Sequence, residues 1–521
     1  MKNTHLNPIF SNFLDRLNLK EKSEKPRETI HVNEMAGSVY FIYEKMRNAV
    51  EYREQHLFRR SAIERLINRK VFVEDNLKNI GTEVIKELIK TRYLENDIIS
   101  VDAVKKVDGV VTRYHSLYKE IKKSSNKKTK KYLRSVLVIA ACEVENIIWP
   151  NKDEELFLNF TYNSFLKSLK VPDNTDKSIL LISVYFAVHR SLWKSDLPMI
   201  EFYLFKNYPE WSSNSLSDND KAETFISFFN FLEEIKDSAI FTQVQRKVRK
   251  NIAPYKLLRA AIFKENLREK ITDRGVFLDK IRKLLAKEYY KQRQKTNRMI
   301  IQSIIYIFLT KVLLALLLEV PYEIFVENRM SLIPLTVNLI FPPAFMFILG
   351  ILIPKPTEAN SQEIEKRILE IVYSDGKSLS YSINDSSRKI GFFFSFLYLL
   401  TFAISFGMVI YLLMLLEFNI ISGIIFFVFF SAVSFFSYRV SQGAQELVLI
   451  EKRKTIRETI FEFITFPFIK LGQWLSDKYS KINILVFFLD YLIEIPLKSL
   501  LALLEDWSSF INRQKENMLD R

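Results

Sequence analysis

A single cysteine, Cys142, stands in 521 residues, so no disulfide can close within the chain. Histidine is almost as scarce. His5, His31, His56, His115 and His189 are scattered without metal-ligand spacing, so neither zinc nor any other cofactor is expected. Glycine numbers only 11, which leaves few positions for phosphate-cradling loops or tight hairpins and favours helix throughout. No Walker motif, dinucleotide fingerprint, nucleophile elbow or HExxH occurs, which removes the usual sequence arguments for an ATPase, dehydrogenase, hydrolase or metalloprotease. The opening residues lack the basic, apolar and cleavage regions of a signal peptide, so targeting is expected to come from an internal apolar segment.

Four such segments are there: Met299 to Leu318, Ser331 to Ile353, Ile390 to Leu416 and Phe418 to Ser437. Each is long enough to cross a bilayer, which needs about 20 apolar residues. The approach to the first carries Lys280, Arg282, Lys283, Lys287, Lys291, Arg293, Lys295 and Arg298 against Asp279 and Glu288. Such an excess of bases stays cytoplasmic and puts the large N-terminal part inside. Glu319, Glu323, Glu327 and Arg329 follow the first run, and bases return after the second and the fourth, at Lys366, Arg367, Lys452, Arg453 and Arg457. Both termini are expected inside, in a multi-pass protein of the cell membrane.

The expected fold is all-α, with an N-terminal cytoplasmic helical domain, a polytopic four-helix transmembrane region and C-terminal amphipathic helices. Its parts are an amphipathic arm and linker at 1–30, a cytoplasmic helical domain at 31–275, a basic stalk at 276–298, the four-span region at 299–438 and interfacial helices at 439–521. In the arm, Phe10, Phe13, Leu14 and Leu17 share one helical face, which either packs back on the domain or docks elsewhere. A long helix is expected over Asn33 to Arg69. Its polar middle reads as a solvated face, the sharper alternative being an acid-base or phosphate site of His56 with Glu51, Arg59 and Arg60. Further helices are expected at Glu74 to Leu94, Val101 to Lys123, Lys127 to Ile148, Glu154 to Leu169, Asp176 to Trp193, Lys221 to Ile235 and Ala253 to Leu267. Breaks are expected at Pro150, Pro172, Pro198, Pro209 and Pro254.

Three groups of residues carry candidate sites. Lys122, Lys123, Lys127, Lys128, Lys130 and Lys131 form a basic cluster suited to anionic headgroups, or to nothing more than a solvated loop. No aromatic residues interleave it to stack bases, which disfavours nucleic acid. Inside the apolar runs, Lys311 sits where a charge is costly unless it is paired or snorkels. Pro342 and Pro343 break the second run and release the carbonyls of Asn338 and Leu339, at a depth that matches Lys311. Lys311 is expected to donate to Asn338 or to these carbonyls. Near the C-terminus, Gln445 to Phe466 reads as an amphipathic helix. In Ile482 to Leu504, Asp490, Glu494 and Lys498 recur every four residues, so this stretch is expected to lie on the membrane with Trp474 and Trp507 at headgroup depth.

The stretches Arg47, Asn48, Ala49, Val50, Glu51, Tyr52, Arg53, Glu54, Gln55, His56 and Leu447 to Trp507 resemble uncharacterised helical membrane proteins of reduced-genome, candidate-phyla bacteria. The resemblance implies no activity and transfers no functional residue. The leading expectation is a non-enzymatic, membrane-anchored scaffold or interaction protein. Its partners would be membrane lipid, anionic lipid included, and other proteins, with a homo-oligomer allowed. A channel or transporter at Lys311 and the broken second run is the first alternative, and a lipid enzyme with an unfamiliar site is the second.

Overall fold

The computed structural model describes residues 6–19, 29–30, 55–73, 77, 79–123, 129–172, 175–208, 217–326, 332–354, 356–373, 380–383, 392–450, 455–481 and 507. These residues are helical almost throughout, and the strands among them are the two-residue pieces Leu169–Lys170 and Tyr381–Ser382. The chain divides into two compact units. One is Ser11–Leu169, Asp173–Val248 and Asn483–Arg521, and the other is Met1–Phe10, Lys170–Pro172 and Arg249–Ile482.

In the first unit, α1 (Pro8–Asn18) turns Phe13 and Leu17 inward, with the Phe13 ring 5.5 Å from Phe157 and 5.2 Å from Phe160. The arm packs back. Then come α2 (Gln55–Ile67), α3 (Ile80–Lys90), α4 (Val101–Lys123), α5 (Thr129–Ile148), α6 (Lys152–Ser168), α7 (Lys177–Leu192), α8 (Leu197–Lys206), α9 (Asp218–Asp237) and α10 (Ala239–Asn251). In α4 the buried Val104, Val107, Val111, Tyr114, Leu117 and Ile121 recur every three or four residues, the spacing that lines one helical face. Asn151, Asp176, Asp196 and Ser217 cap the following helices with side-chain oxygens, and Ser217 forms a reciprocal box with Asp220.

Two of the expected breaks are helix starts. Pro198 and Pro254 stand in first turns, where the absent N–H has no intrahelical partner to lose. The helices α8 and α10 lie where the sequence reading placed none. Of the long helix expected over Asn33 to Arg69, α2 is the described part, and it continues into a π turn at Asn68–Val73. The expected helix at Glu74 to Leu94 is shorter, because Asn79 and Arg92 adopt left-handed φ angles that bound it.

In the second unit, α11 (Ala253–Phe263) and a 3-10 turn at Leu267–Thr272 precede α12 (Arg274–Leu314), about 60 Å of unbroken helix. The basic approach and the first apolar run are therefore one rod. It passes through a π turn, Ala315–Glu319, into α13 (Val320–Phe325). Then follow α14 (Leu332–Ile351), α15 (Glu358–Val372), α16 (Phe392–Leu415), α17 (Ile420–Ala444) and α18 (Ile456–Lys481). Four helices, the α12–α13 rod, α14, α16 and α17, are long and apolar enough to cross a membrane.

Three expectations need correction here. The second apolar run is not broken, since α14 is continuous with Pro342 and Pro343 inside it. Proline removes single hydrogen bonds yet keeps helical φ, and packing on both sides holds the helix together. The helix expected from Gln445 starts only at Ile456. Its would-be first turns are held in another conformation by Asn360, which is fully buried on α15. The Asn360 amide donates to the Leu447 carbonyl at 2.9 Å and to the Tyr289 hydroxyl at 2.8 Å, and its oxygen accepts from the Leu449 and Ile450 amides at 2.7 and 3.0 Å. The third is the polar face of α2, where Arg59 and Arg60 turn inward to pair with Glu145 and Asp196.

Packing among the apolar helices is close. A Cβ on Gly350 of α14 would lie 2.9 Å from Ile300 of α12, and one on Gly472 of α18 would lie 2.1 Å from the Ser431 carbonyl of α17. Phe468 of α18 is fully buried against Phe406, Phe427 and Phe430. Polar groups share this apolar core while many large apolar side chains lie outside it. Ser303, Lys311, Asn338, Ser405, Ser422, Ser431 and Ser434 face inward, while Leu316, Ile340, Phe347, Leu399, Met414 and Ile424 are exposed.

Candidate functional site

Lys311 is fully buried on α12, and its Nζ donates to Glu319 Oε1 at 2.7 Å. Asn338 of α14, also fully buried, donates from Nδ2 to the same oxygen and to the Ser422 carbonyl of α17, both at 3.1 Å. The ammonium lies 4.7 Å from the centroid of the Phe429 ring, so its charge meets a carboxylate and an aromatic face. One polar cluster thus joins three apolar helices.

The expected pairing therefore takes a different form. Lys311 does not reach Asn338 directly; Glu319 stands between them and accepts from both. The hydrogen bonds found for Lys311 and Asn338 involve neither the Asn338 nor the Leu339 main-chain carbonyl. Pro342 is buried in α14, one turn from Asn338.

The sequence reading missed Glu319, taking it for a flanking acid. Eight residues of α-helix leave two side chains about 80° apart and about 12 Å along the axis. The π turn at Ala315–Glu319 widens the helix just before Glu319 and takes up that angle. A local contribution comes from Pro321, whose ring would crowd the Leu317 carbonyl in a regular α-helix. Pro321 was the available signal. Glu323, one turn on, is buried as well. Glu319 Oε2 and Asn338 Oδ1 are buried without a hydrogen-bond partner among the described residues, so the cluster retains two spare acceptors.

A second charged cluster lies in the first unit. Arg60 is only 5% exposed and pairs with Asp196 at 2.5 Å, and Arg59 pairs with Glu145 at 3.3 Å while stacking 4.5 Å from Trp149. The solvated face expected around Arg59 and Arg60 is here a buried junction of α2, α5 and α8, because acids on those helices draw the guanidinium groups inward. The side chains of Glu51 and His56 lie outside the described residues. Burial pushes the Glu145 carboxyl up to about 7, against the pull of Arg59 and Arg60. Burial pushes His189 down to about 3. His189 is packed among Tyr185, Trp193 and Tyr203, and among the described residues neither ring nitrogen is hydrogen-bonded. Burial also holds the Cys142 thiol protonated, which suits a core side chain and not a nucleophile.

Of the basic cluster, Lys122, Lys123, Lys130 and Lys131 are exposed, and Lys127 and Lys128 lie outside the described residues. Lys123 pairs with Glu120 at 2.6 Å and Lys131 pairs with Glu233, which lowers the charge open to a headgroup. Trp474 and Trp507 are exposed; Asp490, Glu494 and Lys498 lie outside the described residues.

Fold and site together define an all-α chain with four helices long and apolar enough to cross a membrane, three of them fastened by a buried ion-paired cluster. No family model, curated protein or solved structure matches the chain.

Proposed function

We propose that this is a multi-pass integral membrane protein that anchors a helical interaction domain at the cytoplasmic face, a scaffold whose partners are proteins and lipid. One observation carries the reading: around an apolar core the four apolar helices bury serine, lysine and asparagine, while many of their leucines, isoleucines and phenylalanines are exposed. In water that arrangement would leave a large apolar surface wet. In hydrocarbon it is the favourable one, because helix contacts there rely on small and hydrogen-bonding residues. The bases of α12 support an inside position for the N-terminal part. The Lys311–Glu319–Asn338 cluster fits the same reading as a fastener, with its charges matched one to one.

Membranes carrying the full chain, washed in alkaline carbonate, test the placement. The protein stays in the pellet and leaves only with detergent; release by carbonate alone overturns the reading. Transport is a second reading, favoured by the spare acceptors Glu319 Oε2 and Asn338 Oδ1. Ion flux in reconstituted vesicles that vanishes in Lys311→Met supports transport over scaffolding, and vesicles no leakier than protein-free ones reject it.

A further inference from the structure

Two contacts fix the register of α12 against α17. Gln292 donates to the Gly443 carbonyl at 2.7 Å, and Lys311 lies over Phe429. The helices are therefore antiparallel, and interpolation between the two contacts brings Arg298 level with Tyr438 and Arg439. Arg298 and Arg439 are far apart in sequence yet stand at one height, where the apolar surface begins. Arg293 and Lys295 lie within about 8 Å of that level along α12. All four cations are exposed, and none is paired with an acid among the described residues.

Most of the nearby carboxylates are already engaged, the exposed Glu358 being an exception. Glu288 pairs with Lys291, Glu265 with Lys287, Glu365 with Arg282 and Glu446 with Lys256. Lys280 and Lys283 are also exposed, but they stand more than about 20 Å below Arg298, beyond the roughly 8 Å over which charges act in physiological salt. What remains is a belt of four exposed positive charges at similar heights on two antiparallel helices. Directly above Arg298, on the same helical face, Ile301 and Ile305 are exposed by 58% and 54%. Tyr438 is exposed at the same height. An occupant must therefore present anionic oxygen to the belt and apolar chain to the surface one turn away. A phospholipid does both, and a nucleic acid offers only the first.

We propose that Arg293, Lys295, Arg298 and Arg439 form a headgroup belt that selects anionic phospholipid over zwitterionic phospholipid. The belt rests on the membrane reading and names residues other than the interhelix cluster at Lys122 to Lys131. Bases near a membrane surface contribute comparable increments, so the group acts together.

The test uses the full chain in mild detergent, melted with increasing dioctanoyl-phosphatidylglycerol or dioctanoyl-phosphatidylcholine. Phosphatidylglycerol raises the melting temperature saturably, and phosphatidylcholine leaves it nearly unchanged. In the combined variant R293Q/K295Q/R298Q/R439Q the midpoint concentration of phosphatidylglycerol rises at least tenfold. In the charge-matched control K105Q/K106Q/R190Q/K206Q, whose sites are exposed in the first unit, it does not. If the combined variant does not elute as folded protein, R298Q alone with phospholipid retention read by native mass spectrometry replaces it, and undiminished retention of phosphatidylglycerol counts against the belt. Equal shifts with both lipids, an unaltered combined variant, an equal loss in the control, or the same shift with inorganic phosphate would each overturn the proposal. Carbonate washing of the wild type separates the two failures. Protein that stays in the pellet but ignores phosphatidylglycerol removes the belt alone, whereas protein released by carbonate removes the membrane reading itself.

Discussion

Lys311 shows what one side chain can demand of its surroundings. Truncating it leaves Glu319 buried with only the Asn338 amide, and breaking a buried pair from one side costs about 3 to 5 kcal/mol. Lys311→Met is therefore expected to lower unfolding stability in detergent by about that amount. Lys311→Met with Glu319→Leu recovers part of the loss, because no charge is left unmatched. A double mutant no better than Lys311→Met would show that the pair is not coupled. Lys311 and Asn338 were legible in the sequence, each as a polar residue in an apolar run. Glu319 was not, because regular helical spacing points it away and only the π turn brings it round.

His189 and Glu145 make stability depend on pH in opposite senses. The ordinary histidine value is 6.5 and the folded value about 3. The unfolded chain therefore takes a proton that the folded chain refuses, and this contribution is intact above 6.5 and lost as pH falls toward 3. Glu145 rises from an ordinary 4.5 to about 7. The folded chain keeps its proton longer, so this contribution is intact below 4.5 and lost as pH rises through 7. Between about 4.5 and 6.5 the two slopes, each near 1.4 kcal/mol per pH unit at most, offset one another. Denaturant unfolding of Glu145→Gln across this range should show stability climbing with pH where the wild type stays level. A level profile in the variant would remove the assignment.

Among elements, α18 packs tightly on α17. Gly472 lies against the Ser431 carbonyl near the middle of α17, with no room for a Cβ. Gly472→Leu must force the helices apart, and exposing Phe468 with its neighbours is expected to cost about 3 kcal/mol or more. Gly443→Ala, where nothing lies within 4 Å of the new methyl group, is the matched control. Thermal melts of both variants in detergent read the difference. Asn360→Ala removes a side chain that makes four hydrogen bonds and should free Leu447 to Ile450 to limited proteolysis. The sequence showed α4 almost to the residue, because its apolar positions repeat cleanly. It hid α8 and α15, since a proline opens the first and the second is a short amphipathic helix between long apolar runs. It also suggested a helix from Gln445 that the buried Asn360 amide overrides.

For the whole molecule, the four apolar helices were legible as a change in composition near Met299, whereas the chain passes from one unit to the other at Val248 and Arg249, within a stretch of unchanged composition. The lipid belt was not legible, because Arg439 joins Arg298 only through the register of two antiparallel helices. Single cysteines placed at Tyr290 and at Val326, which is exposed beyond the first apolar run, with Cys142 replaced by alanine, test the orientation. A membrane-impermeant maleimide added to intact cells should label Val326→Cys and spare Tyr290→Cys, and the reverse pattern would invert the topology.

The Lys311–Glu319 pair lies within one continuous helical rod, and this has a bearing on how the chain is made. A ribosome delivers Lys311 and Glu319 almost together, long before Asn338 and Ser422 exist. On the proposed membrane reading, the ammonium can therefore be neutralised by its own segment while that segment enters the bilayer, with no later helix needed to shield it. Asn338 then arrives as a donor to a carboxylate already in place, and the order of synthesis becomes the order of assembly.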